Sequence, residues 1–395
     1  MPTCSALFLF LGETDGWKKD PEEDMDPYQL ISSKGYPVEE YEAVTEDGYR
    51  LSMQRILGGV NEQKSNSTKP KPVVYLQHGL LASSTCWLTN LPSESLGFIL
   101  ADAGFEVWLG NFRGNTYSKK HVNLDPAQHA FWLFSWDEMA KFDLEAMINK
   151  ALEVSGQDQL YYVGHSEGTM TAFAKFSTDL DFGNKIKHFF ALAPVHTVGN
   201  IKGLGAFASH FTGLVQLVYK LFGEDEFLPS GTTTKLLANV LCGFKYTNPL
   251  CDNILFLIAG YDSKQLNATR VPVYVAHTPA GTSVQNMVHF SQNVKSDKFQ
   301  KYDWGSQRKN MQHYGQKTAP LYDVSKMQVP VSLFWADNDW LADPVDVAEL
   351  IGELQSMEHS FYYEGFNHLD FIWGLQAPDQ IYSKIIDIVK QKEGL

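Results

Sequence analysis

The chain has 395 residues, 44% of them hydrophobic and 13% aromatic, enough for one large core or for an α/β domain with an insertion. Its 46 acidic residues against 32 Lys and Arg leave a net charge of −14, which argues against a nucleic-acid partner. Four cysteines are too few for a disulfide scaffold, no metal-ligand spacing occurs, and no run reaches the roughly 18 apolar residues of a membrane span.

Residues 1–36 read as an N-terminal segment. Within it, residues 5–12 (SALFLFLG) have the apolar character of a secretory signal, short and without a basic residue before it. Val38–Val44 and Tyr49–Ile56 read as two strands around the turn Glu46-Asp47-Gly48. The following loop, 58–71, holds the sequon at Asn66, and a second sequon stands at Asn267. Both agree with entry into the secretory pathway, toward a lysosomal or extracellular setting. Val73–Gln77 is apolar without alternation, the pattern of a strand buried on both faces, and it runs into His78-Gly79-Leu80-Leu81. A helix is expected over 93–104 and a strand over 105–109. Ser135-Trp136-Asp137-Glu138 is a capping box that opens a long helix reaching residue 154.

Residues 159–163 suit a buried strand, and Glu167–Thr178 reads as a helix with small residues at its start. Between them Gly164-His165-Ser166-Glu167-Gly168 matches the G-x-S-x-G nucleophile elbow. The spacing has a steric reason. The serine occupies a strained turn from strand to helix, and the crowded positions two before and two after it admit only glycine or a very small residue.

Ile186–Leu192 is another strand, stopped by Ala193-Pro194. Strands alternating with helices over this length define an α/β fold, a mostly parallel sheet with helices on both faces. From 195 to 322 the alternation is lost. Residues 203–222 are apolar and helical in pattern, fitting either a core helix or a mobile lid over an apolar site. The stretch 195–322 reads as an inserted cap and lid. Alternation resumes with a strand at 329–335, a helix at 344–354, a strand at 360–363 and a closing helix at 378–390, so 37–194 and 323–395 make up the core.

A serine hydroxyl is a poor nucleophile until a base takes its proton, and that base must itself be oriented. In open α/β sheets such groups project from the carboxyl ends of strands. Two late strands end in candidates: one runs into Asp337, Asp339 and Asp343, the other into His368. His368 closely follows a late strand and precedes the final helix, and the order Ser, Asp, His is that of α/β-hydrolases. Each of the three aspartates is within reach by sequence, and Asp343, directly before Pro344, is best placed to cap a helix. An oxyanion hole needs two backbone N–H groups, offered by Glu167 after the nucleophile and by Leu80 in the loop after Val73–Gln77. Cys242 and Cys251 are close enough in sequence to bridge a short loop.

HGLLASS (78–84), GNFRGNTYS (110–118), SWDEMAKFDL (135–144), YYVGHSEGT (161–169), AGTSVQNMVHFSQ (280–292), NDWLADP (338–344) and FNHLDFIWG (366–374) together resemble the acid lipase family, the gastric and lysosomal type. The resemblance covers nearly the whole chain from about residue 35. It implies an α/β-hydrolase with a cap and lid, acting on triacylglycerols or cholesteryl esters at a lipid–water interface. It further implies Asp339 as the acid, His368 as the base, a bridge between Cys242 and Cys251, and a glycan at Asn267. Two departures stand out. The family has glutamine after the nucleophile where this chain has Glu167, and the N-terminus is atypical. An ionised Glu167 near the oxyanion would oppose the transition-state charge and favour acid pH, whereas a side chain turned to solvent or to a distant donor would not.

The sequence thus describes a Ser166–His368–Asp339 hydrolase of neutral-lipid esters needing no cofactor. The alternatives are a lipid carrier on the same fold and an esterase for small soluble esters.

Overall fold

The computed structural model describes residues 19–61, 70–203, 225–228 and 265–395. Residues 5–12 and 203–222, the sequon at Asn66 and the pair Cys242 and Cys251 lie wholly or almost wholly outside that range.

The strands in chain order are β1 (Val38–Val44), β2 (Tyr49–Ile56), β3 (Val73–Gln77), β4 (Glu106–Gly110), β5 (Lys120–His121), β6 (Leu160–His165), β7 (Ile186–Leu192), β8 (Glu226–Phe227), β9 (Thr282–Ser283), β10 (Val331–Ala336) and β11 (Met357–Tyr363). The helices are α1 (Pro27–Ser33), α2 (Leu96–Asp102), α3 (Trp136–Glu138), α4 (Leu144–Ser155), α5 (Glu167–Thr178), α6 (Leu180–Gly183), α7 (Val271–His277), α8 (Val284–Ser296), α9 (Gln307–Tyr314), α10 (Pro344–Glu353), α11 (Asp370–Trp373) and α12 (Ser383–Glu393).

Among the described residues one nine-stranded sheet organises the fold, in the order β1-β2-β4-β3-β6-β7-β10-β11 with β5 paired to β2. β1, β2 and β4 pair antiparallel, and every pair from β4 to β11 is parallel. β3, β4 and β6 are buried at every residue, as expected of strands covered on both faces. The chain leaves β3 toward β4 on one side and later returns to β6 on the other. The crevice between the carboxyl ends of β3 and β6 is therefore a switch point, where α/β sheets place their ligands.

Among the described residues the elements expected from the sequence are present with shifted ends. The helix expected over 93–104 starts at Leu96, because a turn closed by Glu94 N–H on the Leu91 carbonyl comes first and Ser95 is the N-cap. β10 starts at Val331 rather than 329, since Pro330 has no N–H to give the ladder and only its carbonyl is used, by Phe189. β11 starts at Met357, three residues early, as a largely exposed edge strand without an apolar run. The capping box at Ser135 is formed, but a π turn at Met139–Asp143 interrupts the long helix. That turn sets Asp143, fully buried, against Arg113, whose guanidinium also binds Asp47 in the β1–β2 turn and stacks 3.9 Å from the Tyr49 ring centre.

Candidate active site

Ser166 stands between β6 and α5 with φ 55° and ψ −119°, a backbone conformation that side-chain-bearing residues rarely adopt. The flanking glycines are required by contact. A Cβ on Gly164 would lie 2.7 Å from the Gly168 carbonyl oxygen, and one on Gly168 would lie 2.5 Å from that of Gln77. α5 then runs through the core, buried from Glu167 to Ser177. Glu167 is its first residue, so its N–H has no partner within the helix.

The carboxyl end of β3 faces the elbow. A Cβ on Gly79 would come 2.8 Å from Cβ of Ser166, so the backbone before Leu80 passes directly over the serine. His78 holds this loop. Its Nε2 accepts from the Phe112 N–H and the Asn115 amide, both at 3.1 Å, which leaves Nδ1–H to donate to the Gly79 carbonyl at 2.8 Å. Burial keeps this imidazole neutral, with its pKa lowered to about 4. Leu81, at φ 59°, completes the turn. Leu80 and Leu81 belong to an apolar cluster with Phe227, Leu228, Val284 and Met287, residues lying between β7 and β10 in sequence.

Of the three candidate aspartates, Asp339 reaches His368, with Nδ1 at 2.9 and 3.0 Å from its two carboxylate oxygens. Asp337 accepts from the Gly365 N–H at 2.7 Å, and Asp343 caps α10 through the Val345 N–H at 2.9 Å. Burial of Asp339 opposes its ionisation, but the His368 imidazole and the amides of Leu341 and Ala342 outweigh it and lower its pKa. Oriented in this way, His368 Nδ1 carries the proton and Nε2 has a free lone pair.

His165, adjacent to the serine, was not singled out by sequence. Its Nε2–H donates to the His368 carbonyl at 2.9 Å, and the two rings lie 4.8 Å apart. Burial, reinforced by its electrostatic coupling to the neighbouring His368 ring, lowers its pKa to about 3, so it remains a neutral donor. Its position inside the elbow pentapeptide was the available signal.

The Glu167 side chain does not face solvent. It is 2% exposed, and its Oε1 accepts from the Asn286 amide of α8 at 2.6 Å. Asn286 also accepts from the Trp136 N–H at 2.8 Å and donates to Thr282 at 3.1 Å. It therefore joins α5 to α3 and to the chain after residue 265. Burial, partly offset by Asn286, raises the Glu167 pKa to about 7. Asn267, in the second sequon, is half-buried, with its amide donating to Glu94 at 3.1 Å and its carbonyl bonded to Thr269. A cavity of about 480 Å³ at the amino ends of β6 and β7, beside Tyr161, Lys187 and Glu393, lies at the opposite end of the sheet from Ser166. Among the described residues no group of His, Cys, Asp and Glu could hold a metal ion.

Fold and site together define an α/β-hydrolase, and the family model described as "alpha/beta hydrolase fold" matches residues 72–375, preceded by a "partial alpha/beta-hydrolase lipase region" at 27–91. A solved structure from Sulfolobus solfataricus superposes with a TM-score of 0.59 at 15% identity, covering 90% of this chain and 94% of that one, which shows the shared fold. The chain is 53% identical to Lipase lipl-1 of Caenorhabditis elegans (95% of this chain, 94% of that protein). It is 48% identical to the human lysosomal acid lipase/cholesteryl ester hydrolase (98% and 97%), and 46% identical to human gastric triacylglycerol lipase (98% and 98%). The chain belongs to the acid lipase family and is a carboxylic ester hydrolase acting on lipid esters.

Proposed function

We propose that Ser166, His368 and Asp339 form the catalytic triad and cleave esters of neutral lipids, triacylglycerols and cholesteryl esters. The observation that carries this reading is the bond from His368 Nδ1 to Asp339, in the loops beside a strained serine elbow. His368 Nε2 takes the Ser166 hydroxyl proton as Oγ attacks the ester carbonyl. The amides of Leu80 and Glu167 hold the resulting oxyanion. When the intermediate collapses, the imidazolium gives the proton to the leaving alcohol. Water, deprotonated by the same nitrogen, then releases the fatty acid and restores the serine. No cofactor enters this sequence.

The apolar cluster of Leu80, Leu81, Phe227, Leu228, Val284 and Met287 supports an acyl chain lying beside the oxyanion loop. Residues 195–322, which supply Phe227, Leu228, Val284 and Met287 to that cluster, are assigned to a cap and lid, and a bridge between Cys242 and Cys251 is part of the same proposal. The two sequons and the names of the lysosomal and gastric relatives support a secretory-pathway enzyme, glycosylated at Asn66 and Asn267 and working at acid pH.

The test is fatty-acid release from emulsified triolein and cholesteryl oleate between acid and neutral pH, with Ser166→Ala as the blank. Release that peaks at acid pH and vanishes in the blank is the expected result. Turnover of dissolved short esters alone would favour a small-ester esterase. Failure of a fluorophosphonate to label Ser166 in folded protein would favour a carrier.

A further inference from the structure

One surface of this acidic protein has the opposite sign. From Gln300 to Leu321 stand four Lys or Arg residues, Lys301, Arg308, Lys309 and Lys317, and a single acid, Asp303, in a chain whose net charge is −14. The ends of this stretch are tied together. Gln300 and Leu321 form a β-bridge, and the Lys301 N–H donates to the Pro320 carbonyl at 2.9 Å. The chain between them is a closed lobe containing α9. Asn310 holds it from within, accepting from the Trp304 N–H at 3.0 Å and donating to Asp303 and to the Lys317 carbonyl, both at 3.2 Å.

The lobe is fixed to the body at two places. Gln292 of α8 exchanges two hydrogen bonds with the Asp303 backbone, at 2.7 and 2.8 Å. Asp137 accepts from the Tyr302 N–H at 2.8 Å and from the Tyr322 hydroxyl at 2.6 Å. The acid of the lobe is turned to internal work, since Asp303 accepts from Gly305 N–H and Asn310. The cations are left outside. Arg308, Lys309 and Lys317 are exposed, and none forms an ion pair among the described residues. Met311 (44% exposed) lies between Lys309 and Lys317 in sequence, and Leu321 (63% exposed) stands at the closing bridge of the lobe.

We propose that this lobe is a docking surface for anionic lipid, seating the protein on a phospholipid bilayer or particle that carries negative head groups. An ordinary solvated face intersperses both signs. Here a rigid lobe segregates cations and also exposes apolar side chains, the combination that binds an anionic interface. Screening confines electrostatics to about 8–10 Å at ordinary ionic strength, so the local charge governs attraction rather than the distant acidic body. A lipid surface fits better than an acidic protein because Met311 and Leu321 gain from insertion among acyl chains, which a purely ionic partner would not offer. The proposal rests on the lipid-ester reading for its purpose, but binding is measured without turnover.

The experiment is flotation of the Ser166→Ala protein with vesicles of phosphatidylcholine alone or mixed with phosphatidylserine, at low and high salt. The same is done with Arg308→Gln, Lys309→Gln and Lys317→Gln combined. Partition onto the mixed vesicles is expected to exceed that onto neutral ones at least tenfold. Each basic residue near an anionic surface contributes roughly fivefold, so the triple change should cost on the order of a hundredfold at low salt. Equal binding to both vesicles, or undiminished binding by the triple variant, would overturn the proposal. The three changes made with Ser166 intact should leave hydrolysis of a dissolved short ester unaltered, which shows the fold is retained. Loss of that activity in unchanged protein would instead indict the triad.

Discussion

The Asp339–His368 bond sets which imidazole nitrogen is free to act, and this makes Asp339→Asn an informative change. The asparagine keeps an oxygen for the amides of Leu341 and Ala342, so the loop should hold. Its NH2 group, turned toward Nδ1, would favour the wrong tautomer. We expect kcat on a soluble ester to fall on the order of ten-thousandfold with KM little changed. Glu167 calls for a different measurement. Its folded pKa of about 7 lies above the unfolded value, so its contribution to stability is present below about pH 4.5 and is lost as pH rises through 7. Glu167→Gln should therefore leave stability at pH 4 unchanged and raise it at pH 8 by up to roughly 3 kcal/mol, read by denaturant unfolding. An unmoved pH–rate profile in this variant would show that the carboxylate does not oppose the oxyanion, in keeping with its turn toward Asn286. Spacing narrowed the acid to three aspartates, and the family resemblance chose Asp339. Of the other two, Asp337 accepts from the Gly365 N–H and Asp343 caps α10, and only Asp339 meets His368, a difference of a few ångströms that no spacing rule resolves.

At the scale of elements, the elbow and the Arg113 network carry the sharpest expectations. Gly168→Ala places a methyl against backbone atoms of β3, which cannot retreat without moving the sheet, so we expect loss of both soluble-ester activity and thermal stability. Arg113→Met leaves Asp143, fully buried, without its cation, and should cost about 3–5 kcal/mol in denaturant melts. The central strands were legible because burial on both faces leaves continuous apolar runs. β11 was only half legible, since an edge strand with exposed side chains lacks that signal. The π turn left no trace in the pattern, because its signature is the placement of Asp143 against a residue 30 positions away. His78 and His165 were visible in the motifs, yet their roles lie in hydrogen bonds to backbone carbonyls, which residue type alone does not encode.

For the whole molecule, pH acts through two opposed sets of buried groups. Glu167, with Asp137 and Asp143 each raised to about 6 by burial, loses stability as pH rises, and Glu138, Asp346 and Glu353 are raised too. His78, His165, His188, His196 and His289 are held neutral by burial, with pKa values of about 3 to 4, and His277 is lowered too. The unfolded chain protonates these imidazoles below about pH 6.5 and the folded one does not, so stability falls on acidification. Between pH 7 and 4.5 the five histidines with values of about 3 to 4 resist protonation over nearly the whole interval, against three carboxylates with values of about 6 to 7, and we expect Tm to drop from pH 7 to pH 4.5. An acid working pH is then a condition the core withstands.

The nine-stranded sheet takes strands from residues 38–192 and 331–363, and the three side chains of the proposed triad hang from loops at strand ends. Heredity can treat the two parts separately. On the proposed assignment of 195–322 to a cap, mutations accumulating between β7 and β10 would change which ester is admitted, while the proposed triad passes intact to the next gene copy. Descendants of such a duplication would diverge first in diet and only much later in chemistry.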